Sequence, residues 1–496
     1  MTTRKFFIPQ QKIAGRHPKG LRSTTDNEYA RFASLLRERV EDYVEVGLQP
    51  EDAEAITLNL TLYLEDVISE AGIWRGFVEK THQLYGKYLP FYDLDDNYML
   101  DEPNLQDVAF IIWYTLLRHR GEHRGLTNPE TPAVMDMAKA FYSFLAKHFE
   151  TLPINDDLRE FFENAAFAED FYKVREVMDW FYVDCYLTYS NNVYDWLKED
   201  LEPKMGLTCG DVHSAYYISE CAMPFAYKTG PLALRGGDWL ATVLRANGQE
   251  EKARWMDDID YKQFEMHFVK KYIPGEGAWI RCLDGDEFYV KEKNFADLPN
   301  SEVNISVASF VRYKDDWYVN GDSFTGRYND SSIKDVEKEY KQLHSFGPKE
   351  NEISKLLKDS GGNPFFYFAD VDELTFFMKR KFMHPELLLD KFDDPDAREL
   401  ILCVVDNGKD VFITNRGASS FCDANNIFYD KKEAEEYGLE DALHIPASLL
   451  KYAMEHDMLP DVGLKSVLGE ERGKQLWREN YDFIYRAVME NEYIDR

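Results

Sequence analysis

His119-Arg120-Gly121-Glu122-His123 is the stretch of this chain whose residue types and spacing come closest to specifying a reaction. On a helix, His119 and His123 would stand one turn apart on one face. There two imidazoles can share a tetrahedral zinc ion, and Glu122 can take a proton from a zinc-bound water. Such a centre hydrolyses amides or esters. The flanking residues favour a plainer reading. Gly121 weakens a helix, Gly125 and Asn128-Pro129 end one, and Arg118, Arg120 and Arg124 would surround a dication with positive charge. Arginine and histidine at a helix C-terminus also oppose the negative end of the helix dipole with no metal involved.

Other spacings fall short of a site. Asp93-Leu94-Asp95-Asp96-Asn97 begins like a calcium loop, but Tyr98 replaces the turn glycine and Asn104 the closing glutamate. Glu79-Lys80-Thr81-His82 is a single E-x-x-H, where a di-iron bundle needs two. Cys209, His213 and Cys221 are irregularly spaced and lack a fourth ligand. In Gly321-Asp322-Ser323 the next glycine, Gly326, comes one position too late for a nucleophile elbow. Gly275 and Gly277 are not followed by a third glycine, and no phosphate-loop pattern occurs. Over five residues, His119 to His123 resembles the zinc site of the inverted-motif metallopeptidases. That resemblance implies a later glutamate as third ligand, and Glu199, in Asp195-Trp196-Leu197-Lys198-Glu199, stands at a comparable long spacing. Among the remaining acids, Glu65, Asp66 and Glu70 sit in apolar company, and Arg75 or His82 would be their structural partners.

The charge that must surround any site is divided unevenly. Residues 1–25 hold Arg4, Lys5, Lys12, Arg16, Lys19 and Arg22 and no acid; with a net charge of −32 overall, the rest of the chain carries −38. That body repels nucleic-acid phosphates and anionic membranes, so nucleic acid is disfavoured except through residues 1–25. Docking of this basic arm on its own acidic body is the expected arrangement. A hydrophobic content of 44%, with 9 Trp, 31 Tyr and 33 Phe, is too apolar for a disordered acidic chain, so the acids must decorate folded domains. No stretch approaches the roughly eighteen uninterrupted apolar residues of a membrane span, and the first residues lack a signal-peptide core; a cytoplasmic protein is expected. Cys185, Cys209, Cys221, Cys282, Cys403 and Cys422 are scattered, as reduced core thiols would be.

Changes of hydrophobic period divide the chain. After the arm, residues 26–273 read as a helical domain of about eight helices; Phe171, Val174, Met178, Phe181, Cys185 and Tyr189 form one stripe that Val193 and Trp196 continue. Close backbone packing or a moving loop is expected between Met205 and Gly248. Residues 274–330 read as a small β module, with one hairpin turning at Asp284-Gly285 and a second at Lys314-Asp315-Asp316. Residues 331–496 mix both periods, including a hairpin across Asn407-Gly408 and a long terminal helix from Glu470. The expected class is α+β: an N-terminal helical bundle, a small antiparallel β barrel or meander, and a C-terminal α+β domain.

Leu64 to Glu70, Gly72-Ile73-Trp74, Leu84 to Lys87, Leu89 to Tyr92 and Asn104 to Val108, through to Trp113, resemble an uncharacterised bacterial protein family. The resemblance implies a bacterial cytoplasmic protein and brings no activity. The reading adopted is a noncatalytic adaptor offering acidic and aromatic surface to a protein partner, a basic one being the best match, with no cofactor. The alternatives are a zinc-dependent hydrolase using His119, Glu122, His123 and Glu199, and a nucleic-acid-associated protein tethered by its arm.

Overall fold

Proline at a first helical position with acids in the first turn, as at Pro50-Glu51-Asp52, starts helices efficiently, and the first half of the chain is built from them. The computed structural model describes residues 6–94, 98–119, 126, 128–208, 210–295, 304–329, 331–336, 338, 350–382, 394, 396–405, 410–459, 463–464 and 468–494. The helices are α1 (Gln10–Ala14), α2 (Asp26–Val44), α3 (Pro50–Ser69), α4 (Ile73–Tyr85), α5 (Leu105–Arg118), α6 (Pro132–Phe149), α7 (Asp156–Asn164), α8 (Phe171–Val183), α9 (Val193–Leu207), α10 (Val212–Ala226), α11 (Gly236–Ala246) and α12 (Glu250–Asp257). Eleven of these, rather than the expected eight, lie between Asp26 and Asp257, because apolar stripes that look continuous in sequence are interrupted. The stripe from Phe171 shows how. Cys185 and Ser190 donate from their backbone to the carbonyls of Trp180 and Tyr182, closing α8 and folding Cys185 to Tyr189 into a buried turn before α9 begins.

Helix α3 runs through the interior: sixteen of its twenty residues are buried, so its polar side chains must find partners inside the protein. Around it, Trp74 lies 5.1 Å from Tyr63 and 6.0 Å from Phe110 between ring centroids, and Phe110 lies 5.7 Å from Trp113. Close backbone approach occurs where the glycines between Met205 and Gly248 suggested it. A Cβ on Gly230, whose φ is +74°, would stand 2.9 Å from Trp239, and one on Gly236 would stand 3.0 Å from Met178.

Five strands follow: β1 (Asp260–Ile273), β2 (Gly277–Arg281), β3 (Glu287–Lys291), β4 (Ile305–Tyr313) and β5 (Asp316–Gly326). Their order, β1-β2-β3-β5-β4, closes on itself through β1 and β4. Both expected hairpins form. The strand β1 corrects the helical reading of residues 260–273. Register shifts between Lys262 and Glu265 and between Val269 and Lys271 accompany an irregular burial pattern, in which buried Phe264, His267 and Phe268 stand at i, i+3 and i+4 as they would on a helix. The sheet is also not wholly antiparallel, since β3 and β5 pair in parallel through Val290 and Trp317.

The later strands β6 (Phe365–Asp370), β7 (Arg398–Val405) and β8 (Asp410–Thr414) make an antiparallel sheet of order β6-β7-β8. The Asn407-Gly408 turn lies outside the described residues, but the strands it joins pair as expected, Val405 opposite Asp410. Helices α13 (Glu350–Asp359) and α14 (Val371–Lys381) contribute Leu356, Leu374 and Met378 to a core with Phe368, Leu400, Leu402 and Val404. Helices α15 (Lys431–Asp441), α16 (Ala447–Glu455) and α17 (Glu470–Met489) follow.

The chain divides into two compact units, one of residues 1–124, 128–327 and 486–491 and the other of residues 125–127, 328–485 and 492–496. The five-stranded sheet thus shares a unit with the N-terminal helices. Its Tyr318 stacks 4.6 Å from Phe171 of α8, and Asn320 donates to the carbonyl of Cys221 on α10 at 2.8 Å. No helix among the described residues is long and apolar enough to cross a membrane. Cys185, Cys221, Cys282, Cys403 and Cys422 are free thiols.

Candidate functional site

Helix α5 stops at Arg118, and His119 is its C-cap, with φ −96° and ψ 8°. The described part of the H-x-x-E-H stretch is therefore His119 alone, at the end of its helix; Glu122 and His123 lie outside the described residues. The His119 ring is engaged at both nitrogens. Nδ1 lies 3.1 Å from Oδ1 of Asp52, in the first turn of α3, and Nε2 lies 3.5 Å from the Tyr189 hydroxyl. The Arg118 guanidinium lies 3.9 Å from the Tyr189 ring centroid and donates to the carbonyls of Tyr186, Leu187 and Tyr189, pinning the turn after α8. Arg16, from the basic arm, lies 4.6 Å from the same ring. Burial opposes ionisation of Tyr189, but Arg118 and then Arg16 outweigh it and hold the phenol below its ordinary value. With Asp52 fixing its orientation, His119 can exchange a proton with Tyr189.

Beside Arg118 a polar cavity of about 180 Å³ is lined by Ser190, Asn191, Asn192 and Glu490. Ser190 donates to Glu490, as does Tyr114 at 3.4 Å, and burial pushes the Glu490 carboxyl up to about 7.

Further along α3 the acids flagged in the sequence are buried, but with partners other than Arg75 or His82. Glu65 Oε2 lies 3.0 Å from His17 Nε2, and Glu65 Oε1 accepts from the Asn155 amide at 2.8 Å. Asn155 is itself held by the Ser23 hydroxyl at 2.8 Å and the backbone of Leu158 at 3.1 Å. Asp66 accepts the backbone N–H groups of Ile73 and Trp74 at the start of α4, and the Tyr186 hydroxyl at 2.9 Å. Asp107 accepts from Tyr63 and Tyr98, each at 2.6 Å. Desolvation raises both Asp66 and Asp107 to about 6.

With that geometry in view, comparison with known proteins gives one result. A family described as protein of unknown function (DUF3843) matches residues 11–269 and 324–490. The chain belongs to that family. No curated protein and no solved structure matches it. The DUF3843 match takes in every residue of the His119 and Glu65 clusters just described, including His17 and Glu490, and passes over residues 270–323, where most of the five-stranded sheet lies.

Within this DUF3843 chain the remaining sequence candidates disperse. Glu199 stands on α9, where it and Asp200 act on Tyr227, and no group of three metal-capable side chains among the described residues contains His119 or Glu199. His82 stacks 4.8 Å from Tyr88, Asp93 pairs with Lys87 at 3.4 Å, and Cys221 is pushed up to about 11 by burial. Cys209 and Asp95 to Asn97 lie outside the described residues. Three cations of the arm's described part dock on its own unit: Lys12 pairs with Glu54, Lys19 with Glu176 at 3.3 Å, and Arg16 donates to the Asp184 carbonyl at 3.3 Å, while Arg4 and Lys5 lie outside the described residues. Sequence reasoning missed Asp52, Tyr189, Asp26 and Asn155 as site residues. No motif spacing points to them: Asp52, Tyr189 and Asn155 have partners 67, 70 and 90 residues away in the chain, and Asp26 faces His17, nine residues before it, across a break between the arm and α2.

The C-terminal unit offers a different kind of site. Between α13, β6 and α14 lies a groove of about 460 Å³ floored by Leu356, Phe368 and Phe377 and edged by Lys355, Arg380, Lys381, Glu352, Asp359 and Glu373. Phe376 stands at its mouth, 63% exposed, with Arg380 5.5 Å from its ring centroid.

Proposed function

We propose that this is a noncatalytic cytoplasmic interaction protein that docks a cation-rich protein partner at the aromatic groove of its C-terminal unit. The groove carries the reading: a soluble domain gains nothing in stability from a phenylalanine as exposed as Phe376, while a partner's apolar side chain would remove it from water. Charges of both signs around the rim would fix the register, and the acidic body would speed encounter with a basic surface. The engagement of Asp66 and Asp107 in internal hydrogen bonds supports a structural role for the buried acids. The docking of Lys12, Arg16 and Lys19 weighs against the nucleic-acid alternative, and the contacts of His119 with Asp52 and Tyr189 weigh against the zinc alternative.

The test is affinity capture from cells with the wild-type chain, Phe376→Ser and His119→Ala. A partner held by wild type and His119→Ala, released by high salt and absent from Phe376→Ser, is the expected result. Equal capture by wild type and Phe376→Ser would sink the reading.

The lowered Tyr189 phenol, with His119 and Asp52 in line and a polar cavity nearby, favours a second reading: proton-transfer chemistry on a small polar substrate. A turnover lost on both Tyr189→Phe and His119→Ala, in chains that still fold, would select it.

A further inference from the structure

Strand β1 is 14 residues long and is shared, pairing with β4 over Asp260–Phe268 and with β2 over Phe268–Ile273. With the closed order β1-β2-β3-β5-β4 and β3 parallel to β5, this is the topology of the oligonucleotide/oligosaccharide-binding fold, whose ligands lie across strands 2 and 3. Topology alone assigns no function, so the residues on those strands must carry the argument. Ala278, Ile280, Phe288 and Val290 belong to the sheet's own core, and the residues alternating with them form the opposite face. There Lys271, Trp279 and Tyr289 stand in one row across β1, β2 and β3. The row Phe268, Arg281, Glu287 flanks it on one side and the row Ile273, Gly277, Lys291 on the other. Trp279 is 43% exposed, and its ring centroid lies 5.5 Å from that of Tyr289. Gly277, with φ +152°, leaves room for Tyr289 to lie across the sheet, since a Cβ there would stand 2.8 Å from the Tyr289 hydroxyl.

A cross-strand aromatic pair by itself stabilises a hairpin, but the charges around this one need another reason. Lys271, Arg281 and Lys291 surround the two rings, and the single acid in these rows, Glu287, pairs with Lys270 at 2.6 Å. Arg281 is held 4.6 Å from the Phe268 ring centroid, Lys291 reaches Asp316, and Lys271 has no ion pair among the described residues. In a chain of net charge −32 this is a local positive surface. Rings on which bases stack, beside cations that follow a phosphate backbone, are the two components of a single-strand platform. A neutral oligosaccharide would use the rings and leave the cations without a purpose. We propose that the β2–β3 face binds a short stretch of single-stranded nucleic acid, with bases stacked on Trp279 and Tyr289 and phosphates on Lys271, Arg281 and Lys291. The acidic body opposes the approach of any polyanion, so the affinity is modest. Neither the basic arm nor the docking groove takes part, and both strands lie in the stretch that the family match passes over.

The experiment is fluorescence anisotropy of a labelled oligothymidylate of about 12 nucleotides, titrated with the full chain from about 50 mM salt upward. Wild type should bind, with log K falling against log salt at a slope of about −2, as three phosphate contacts on a single strand require. Trp279→Ala should weaken binding about tenfold, and Lys271→Glu should flatten the slope by about 0.7. Both side chains are exposed, and circular dichroism equal to wild type checks that the variants fold. Lys19→Glu, which changes an arm cation, should leave binding as it is. If Trp279→Ala does not fold, Lys271→Glu and the wild-type salt slope still decide the matter. A wild type that does not bind the oligothymidylate overturns the proposal, whether or not it binds the neutral sugar maltohexaose in its place. Binding that survives both Trp279→Ala and Lys271→Glu, or that is lost with Lys19→Glu, overturns it as well.

Discussion

The two units fill their interiors differently. In the helical unit six carboxylates are buried, Asp26, Asp52, Glu65, Asp66, Asp107 and Glu490, whereas no carboxylate is buried among the described residues of the C-terminal unit. That second unit closes instead on an apolar cluster of Leu356, Phe368, Leu374, Leu400 and Leu402. An apolar core accepts any neighbour of the right volume, but a buried carboxylate accepts only a donor in the right place. Asp66 illustrates this: it joins the end of α3 to the start of α4 and to the turn after α8. The helical unit therefore uses its acids to specify which segments meet, and the C-terminal unit relies on packing.

The largest expected effect tests that contrast directly. Asp66→Ala leaves the N–H groups of Ile73 and Trp74 and the Tyr186 hydroxyl without their acceptor, at a cost of about 3–5 kcal/mol. Hydrogen exchange resolved by region should show α3, α4 and α8 losing protection while β6 to β8 keep theirs. Leu402→Ala is the counterpart in the C-terminal unit: a fully buried leucine is removed from the β7 core, at about 2–4 kcal/mol, with the protection loss confined to β6, β7 and β8. If Leu402→Ala costs more than Asp66→Ala, or if either change spreads into the other unit, the contrast is broken.

The same contrast explains what could be read from the sequence. The C-terminal hairpin and the long terminal helix are legible because they are built from local apolar periodicity, as in Leu400 to Val405 and in the helix from Glu470. The helical unit was legible as helices but not as an arrangement. Glu65 and Asp66 stood out in apolar company, yet nothing near them named His17, Asn155 or Tyr186, which lie 48, 90 and 120 residues away. The arm was read by its charge, and His17, its one histidine, carried no signal on that reading. β1 was hidden by its own irregular register, and the break after α8 by apolar residues that are buried in a turn as thoroughly as in a helix.

A smaller effect separates the two interiors by pH. Burial raises the Asp107 carboxyl to about 6, against the donated hydrogen bonds of Tyr63 and Tyr98, so the folded protein binds this proton more tightly than the unfolded chain. The stabilisation it brings is present below that value and is lost as pH rises through it. Between pH 5.5 and 7.5, chosen to stay above the pI near 4.8, wild type should lose about 1 kcal/mol relative to Asp107→Asn in urea unfolding. Leu402→Ala should show no such pH-dependent difference from wild type. A wild type that instead gains stability relative to Asp107→Asn as pH rises would mean that Asp107 is ionised and stabilised in the interior, not strained there.

The smallest change in stability should accompany the largest change in binding. Phe376 is 63% exposed, and its recorded neighbour across the ring is the Arg380 guanidinium at 5.5 Å, so Phe376→Ser should move the unfolding free energy by no more than about 0.5 kcal/mol. In the helical unit a side chain that leaves the fold unaffected would be one that its network does not use. In the C-terminal unit, whose core is complete without Phe376, the same indifference marks apolar surface left over for another molecule. A loss above about 1 kcal/mol would place Phe376 among the packing residues of α14. The groove would then be a defect of packing, and the partner reading would fall together with the contrast between a unit that specifies its interior and a unit that keeps apolar surface outside.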